Sequence, residues 1–263
     1  MEREYWLRQE PGKPLFPELE WSRPEHRTAA GKLLIIGGNL YGFAAVAEAY
    51  AAAVRAGIGT ARVLLSSAVQ KIVGRVLENG EFAPSTPSGS FSQKALSEFL
   101  ADSAWADGVL LAGDLGRNSE TAIVIEKFLQ KSPSLVTLTK DAVDYVASAP
   151  HTVLHRPGTL LVLSLSQLQR LSTAAKFARP VLFSMDLLLL VEWLHDFTAA
   201  FAPGIVVKHL DTLFVALDGR VSSTRLSPES RLWRTKTAAA ASVWWLQNPS
   251  RGFEAITTSL IAN

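Results

Sequence analysis

The chain has 263 residues, 48% of them hydrophobic, with 26 Lys and Arg against 24 Asp and Glu and no cysteine. That length and apolar share are enough to bury one large core, and a single α/β domain is expected rather than two. The missing cysteine excludes disulfides, thiolate metal ligands and cysteine nucleophiles, and the net charge of +2 is interspersed rather than gathered in a basic stripe, so no nucleic-acid partner is expected.

Residues 1–25 are Pro-rich and read as an arm that packs on the domain or on a neighbouring subunit; a homo-oligomer is expected. The opening MEREYWLRQEPGKP has no apolar signal core, so a cytoplasmic location is expected. Residues 26–263 read as one domain. Within it, Gly31 to Leu65 forms a strand, glycine turn, helix, strand unit. Leu33–Ile36 is an apolar run of strand length ending in Gly37 and Gly38, an alanine-rich helix runs from about Gly42 to Ala56, and Gly57 and Gly59 stop it before a buried strand over Thr60–Leu65. Such a unit aims free N–H groups at a helix start, where a phosphate or carboxylate can sit. A turn that needs positive φ is the alternative reason for the Gly-Gly pair.

PSTPSGS, Pro84 to Ser90, reads as a mobile surface loop. Further strands are expected at Val109–Ala112, Leu135–Leu138, Leu160–Leu163, Val181–Phe183 and Ile205–Val207, separated by helical patterns such as Ser119–Gln130. This alternation predicts a mostly parallel central sheet covered by helices on both faces. Leu187–Trp193 is apolar but too short to cross a bilayer and is interrupted by Glu192, so no membrane partner is expected. Asp218-Gly219 is a hairpin signal. The five histidines lack metal-ligand spacing, His151 and His155 lie on no clear helix, and no metal site is expected. Trp244 and Trp245 are expected to pack the last long helix on the sheet or at an interface.

The order of these motifs resembles the ribokinase-like ADP/ATP-dependent NAD(P)H-hydrate dehydratases. RPEHRTAAGKLLIIGGNLYG followed by AAAVRAGIGTARVLL is similar to that family's opening turn, strand, glycine turn and small-residue helix, with Asn39 where serine is usual and Phe43 where a small residue is usual. AGDLGRNSET looks like the family's G-P-G-L-G-R turn with Asp114 for proline, and VTLTKDAVDYV looks like its D-A-D-A-L strand end with Thr139 and Asp141 at the two acid positions. LVLSLSQLQRL lines up with L-T-P-H-P-G-E-F-A-R-L, so Ser164 replaces histidine and Gln167 glutamate. Lys208 and Thr212 fall on the V-L-K-G-x-x-T strand, and Arg234, Thr235, Lys236 and Thr237 replace the G-T-G-D that opens the last long helix.

The resemblance implies a three-layer ribokinase-like fold, nicotinamide-cofactor repair as the activity, and ADP or ATP with Mg2+ as cofactors. It places substrate beside Gly38, Asn39, Tyr41, Gly113, Asp114 and Gly116, nucleotide beside Lys208, Thr212, Thr235 and Lys236, and the acid-base position at Thr237, with Asp141 as a second catalytic candidate. Asp141 reads equally as a helix N-cap. A threonine hydroxyl does not serve as a base near neutral pH without strong activation, so impaired or lost catalysis is expected. The other reading is a silent ribokinase-like protein with a binding or assembly role. Arg234 and Lys236 either attract an anion or are ordinary surface charges. A ligand cleft is expected at the strands' C-terminal ends, formed by Gly37–Tyr41, Gly113–Gly116 and Arg234–Thr237.

Overall fold

A computed structural model describes residues 3–73, 80–226 and 233–261. In chain order the elements begin with β1 (Trp6–Gln9), α1 (Glu18–Trp21), β2 (Lys32–Gly37), α2 (Ala44–Arg55), β3 (Thr60–Ser66), α3 (Gln70–Val73) and β4 (Gly80–Ala83). They continue with α4 (Leu96–Trp105), β5 (Gly108–Gly113), α5 (Ser119–Lys131), β6 (Leu135–Thr139), α6 (Asp141–Ser148), α7 (His151–Leu154), β7 (Thr159–Ser164) and α8 (Leu165–Ala174). The last are α9 (Leu187–Ala200), β8 (Gly204–His209), β9 (Thr212–Leu217), β10 (Arg220–Arg225), α10 (Thr235–Gln247) and α11 (Gly252–Ser259).

The strands form one sheet in the order β1-β10-β9-β8-β7-β6-β5-β2-β3-β4. From β4 to β8 every pairing is parallel, while β9 and β10 add an antiparallel hairpin ribbon and β1 closes that edge in parallel with β10. The N-terminal segment therefore joins the domain through a strand. Alternate side chains feed two cores. Leu34, Ile36, Val109 and Leu111 point into one with Val124 and Phe128 of α5, and Leu33, Ile35, Leu110 and Ala112 into the other with α2 and α10. Burial on both faces is why these strands read as continuous apolar runs, each fully buried Leu or Ile contributing roughly 1.5–3 kcal/mol.

The small residues of α2 and α10 have the same cause. Ala45, Ala49, Ala52 and Ala53 of one helix and Ala238, Ala239 and Ala241 of the other are buried, and the two helices pack directly together. Leu246, near the end of α10, lies against Gly31 and Gly108 at the strands' N-terminal ends. The start of α10 is thereby placed at the opposite, C-terminal edge.

Four expectations change. Val181–Phe183 is irregular, because Gln169 Nε2 takes the Val181 carbonyl at 3.0 Å and Trp193 Nε1 the Arg179 carbonyl at 2.8 Å, diverting the backbone from any ladder. The segment Pro84–Ser90 is tied down: Thr86 and Ser90 are buried, Thr86 N bonds Ser90 O at 2.8 Å, and Ser66 Oγ bonds Gly89 O at 2.9 Å. His151 opens the single turn of α7. Asp141 is the first residue of α6 and its carboxylate faces another turn, so it is not that helix's N-cap.

Candidate functional site

The sheet changes winding direction between β2 and β5. From β2 the chain moves outward to β3 and β4, and from β5 it moves the other way to β6, β7 and β8. The helices that follow, α2 and α5, lie on opposite faces. Two turns thus diverge from adjacent strand ends and leave a crevice, the usual ligand position in open α/β sheets.

The glycine turns at this point keep the backbones close. Gly38 (φ +78°) donates its N–H to Gly113 O at 3.1 Å. A Cβ on Gly113 (φ +105°) would lie 2.8 Å from Lys140 Cβ and 3.0 Å from Asp141 Oδ1, so no other residue fits there without displacement. Asn39 is buried and binds the two turns together: its Nδ2 donates to Asp114 O at 2.6 Å and its Oδ1 accepts the Tyr41 N–H at 2.7 Å. Tyr41 is fully outward at 85% exposure.

Asp114 crosses the crevice. Its Oδ2 accepts the Ala45 N–H at 2.7 Å, in the first turn of α2, and its Oδ1 pairs with Lys140 Nζ at 2.9 Å. The residue before α2, Phe43, makes no side-chain cap. The anion-binding start expected of α2 therefore already holds a carboxylate of this chain.

Asp141 Oδ2 accepts the Leu115 and Gly116 amides at 2.8 and 3.2 Å, while Oδ1 is buried without a hydrogen-bond partner among the described residues. Burial pushes this carboxyl above the usual range, helped by the Asp114 charge and opposed by the two amides and by Lys140. Tyr145 donates to Gly116 O and accepts the Asn118 amide at 3.1 Å, and burial also raises its phenol. Beside Gly116 a cleft of about 480 Å³ is lined by Arg117, Asn118, Asp144, Tyr145 and Arg170, among others.

Ser164 and Gln167 form a capping box for α8. Gln167 Nε2 also reaches Lys140 O at 2.7 Å and Asp144 Oδ1 at 2.8 Å. Both residues are thus engaged in holding the α8 start against the β6–α6 turn. Lys208 pairs with Ser164 across β7 and β8 and is half-buried, and Thr212 opens β9 and bonds Asp211 Oδ1 at 3.1 Å.

The start of α10 carries no acidic residue. Arg234 precedes it at φ +52°, ψ −100°, a conformation natural to glycine, so the backbone retains a glycine-type turn despite the arginine side chain. Lys236 leans toward Glu48 of α2 at 3.7 Å. Thr235 and Thr237 are each 2% exposed, and Thr237 Oγ1 has no partner among the described residues. The contact between α10 and the strands β5 and β6 puts this helix start on the same edge as the Gly113 and Lys140 turns.

Lys140, Tyr145 and the structural use of Gln167 were not evident as site features in the sequence. The S-x-x-Q spacing of Ser164 and Gln167 carried the last of these; nothing local marks Lys140, whose role depends on Asp114 arriving from another strand. Among the described residues no cluster of three or more His, Asp or Glu side chains is arranged to hold a metal ion, and no helix is long and apolar enough to cross a membrane.

No protein-family model and no curated protein sequence matches the chain. Solved structures do. A ribokinase-like superfamily protein from Enterococcus faecalis aligns over 99% of this chain and 87% of its own with a TM-score of 0.73 at 15% identity. An ADP/ATP-dependent NAD(P)H-hydrate dehydratase from Bacillus subtilis, co-crystallised with ATP and Mg2+, aligns over 94% and 86% with a TM-score of 0.62 at 13% identity. A Bacillus subtilis pyridoxal kinase in complex with ADP aligns over 87% and 88% with a TM-score of 0.56 at 11% identity. The fold is ribokinase-like, a three-layer α/β/α arrangement on a mostly parallel sheet.

Proposed function

We propose that this chain is a divergent relative of the ADP/ATP-dependent NAD(P)H-hydrate dehydratases that retains the edge crevice for a nucleotide or pyridine dinucleotide and has lost most or all of the dehydration chemistry. The observation that carries this reading is Thr237, whose hydroxyl is buried without a partner at the start of α10, at the position where the resemblance calls for the acid-base carboxylate. A hydroxyl there keeps its proton and accepts no second one near neutral pH, so it is neither acid nor base, and losing an acid-base group commonly removes about a hundredfold to ten-thousandfold in rate.

The residues present fit part of the implied cofactor. A phosphate group is compatible with the first-turn amides of α10, the orphaned Thr237 hydroxyl and the Lys236 charge, with no acidic side chain in that turn to repel it. When bound with Mg2+, ATP or ADP would supply an activated phosphoryl group; the chain's own contribution is to hold the phosphates and exclude water. Thr235 and Lys236 are the proposed phosphate contacts, with Lys208 and Thr212 toward the nucleoside. Gly38, Asn39, Tyr41, Gly113, Asp114 and Gly116 are the proposed walls of the substrate side, and Asp141, with Asp114, is the proposed carboxylic acid to take over proton transfer in Thr237's stead.

Titration calorimetry of the purified chain with ATP, ADP and NADH tests this, alongside Lys236→Ala. Weak, salt-sensitive nucleotide binding that falls further in the variant supports the reading. Tight binding unaffected by the substitution places the nucleotide elsewhere and overturns the α10 assignment.

A further inference from the structure

The two helix starts that meet at the crevice differ in what they can hold. The first turn of α10 carries no acidic residue, contains Lys236 and buries the Thr237 hydroxyl, which has no partner among the described residues. The first turn of α2 already holds an anion, the Asp114 carboxylate, whose Oδ2 accepts the Ala45 amide at 2.7 Å.

The backbone donors on the α2 side are spent in the same way. Gly38 donates to Gly113 O, Asn39 to Gly42 O, Leu40 to Gly89 O, Gly42 to Asn39 O and Tyr41 to Asn39 Oδ1, so these amides of the glycine turn are all engaged within the chain. At the β5 turn the Leu115 and Gly116 amides go to Asp141 Oδ2 at 2.8 and 3.2 Å. Cradling a phosphate takes free N–H groups, and here a second carboxylate of the chain has taken them.

Asp114 is also held against displacement. Its Oδ1 pairs with Lys140 Nζ at 2.9 Å, its carbonyl accepts Asn39 Nδ2 at 2.6 Å, and its φ of +56° is one that aspartate adopts more readily than most residues. With the side chain 20% exposed, the charge is only partly screened by solvent. Lys140 is committed to Asp114, and Lys236, across the crevice, leans toward Glu48 at 3.7 Å. An incoming anion on this side therefore meets an occupied amide and a like charge, while Asp141 Oδ1 remains an acceptor without a partner among the described residues.

We propose that Asp114 is a specificity-determining residue that excludes phosphate and carboxylate groups from the α2 side of the crevice. The ligand presents there an uncharged group that donates hydrogen bonds, such as a carboxamide, and keeps its phosphates at α10. Only that last assignment, of the phosphates to α10, rests on the nucleotide reading above.

Nicotinamide and nicotinate, the same ring ending in a carboxamide or a carboxylate, are the probes, followed through the Ala45, Leu115 and Gly116 amide resonances of the purified chain at pH 7 and constant ionic strength. Wild type is expected to bind nicotinamide at least about tenfold more tightly than nicotinate. Asp114→Asn removes the charge, keeps the shape and tolerates positive φ, and should narrow that difference to about threefold or less. Should this variant fail to fold, Asp114→Gly, which suits the same backbone, takes its place with the same expectation. Wild type that binds nicotinate as well as nicotinamide at these amides, wild type that responds to neither ring, or a preference left unchanged by the substitution overturns the proposal. Neither probe carries a phosphate, so the result stands apart from the α10 assignment, which calorimetry with Lys236→Ala decides separately.

Discussion

Asp114 Oδ2 accepts the amide of Ala45 at 2.7 Å, so the first turn of α2 is capped by a residue 69 positions along the chain. The bond locks the β2 and β5 turns together across the switch point of the sheet. The same carboxylate neutralises Lys140, and the three turns of the crevice share one hydrogen-bonded centre.

Asp114→Ala should therefore cost about 1–3 kcal/mol, the loss of a helix cap together with a partly buried charge-assisted bond. Thermal or denaturant unfolding reads it. Inorganic phosphate should recover part of the loss in the variant and have a smaller effect on wild type, because the vacated amide and Lys140 then face an open position. A variant as stable as wild type would show that the cap is not formed.

Arg156 is 8% exposed and donates to five backbone carbonyls, of Leu129, Ser132, Ser134, Pro157 and Gly158, and to Thr159 Oγ1. Burial pulls its guanidinium below the usual range. It joins the α5–β6 and α7–β7 connections at the N-terminal edge of β6 and β7, and Arg156→Met, which orphans those carbonyls, is expected to destabilise the fold by about 3–5 kcal/mol. A loss under about 1 kcal/mol by urea unfolding contradicts this role.

Asp141 predicts a pH dependence. Its carboxyl is held above the ordinary value of 3.8, so the folded chain keeps a proton that the unfolded chain has released. The sign follows: its stabilising contribution is fully present below the unfolded value and is lost as pH rises through the folded one. Measured against Asp141→Asn, so that other groups cancel, wild type should gain relative stability as pH falls from 7 toward 4. A constant or opposite difference sinks this assignment.

Much of the fold was legible because both-face burial writes itself as apolar runs, and β2, β3, β5, β6, β7 and β8 all fall where such runs occur. Strands β1 and β4, of four residues each with only one buried position apiece, carry no such signal. Val181–Phe183 has the composition of a strand but is captured by side chains of α8 and α9. At the site, the glycine turns were visible as turns, and the α10 start as a departure from its motif. The use of Asp114 was not visible, since a cap delivered from a different strand leaves no mark near the helix it serves. Asp141 misled for the same reason: its position fits a local cap, and its bonds go to Leu115 and Gly116.

Arg234 supplies a backbone test of the degraded motif. At φ +52° and ψ −100° a non-glycine residue stores roughly 1–3 kcal/mol of strain, while glycine there costs some unfolded-state entropy. Arg234→Gly should come out ahead by about 1 kcal/mol, seen as a rise in Tm of about 2–4 °C. An unchanged or lower Tm would mean that the glycine-like turn is absent.

On the proposed reading, this chain keeps the fold and has lost dehydration chemistry at the start of α10. The most direct measurement of that loss is ATP- or ADP-dependent conversion of hydrated NADH to NADH, followed by absorbance, for wild type and Thr237→Asp side by side with Mg2+ present. No turnover or only a trace is expected for wild type, and a measurable gain of about tenfold or more when the carboxylate is introduced. Wild-type turnover at an ordinary enzymatic rate of about 1 per second or faster, unaffected by or reduced in Thr237→Asp, would contradict that reading and make Asp141 the residue to substitute next.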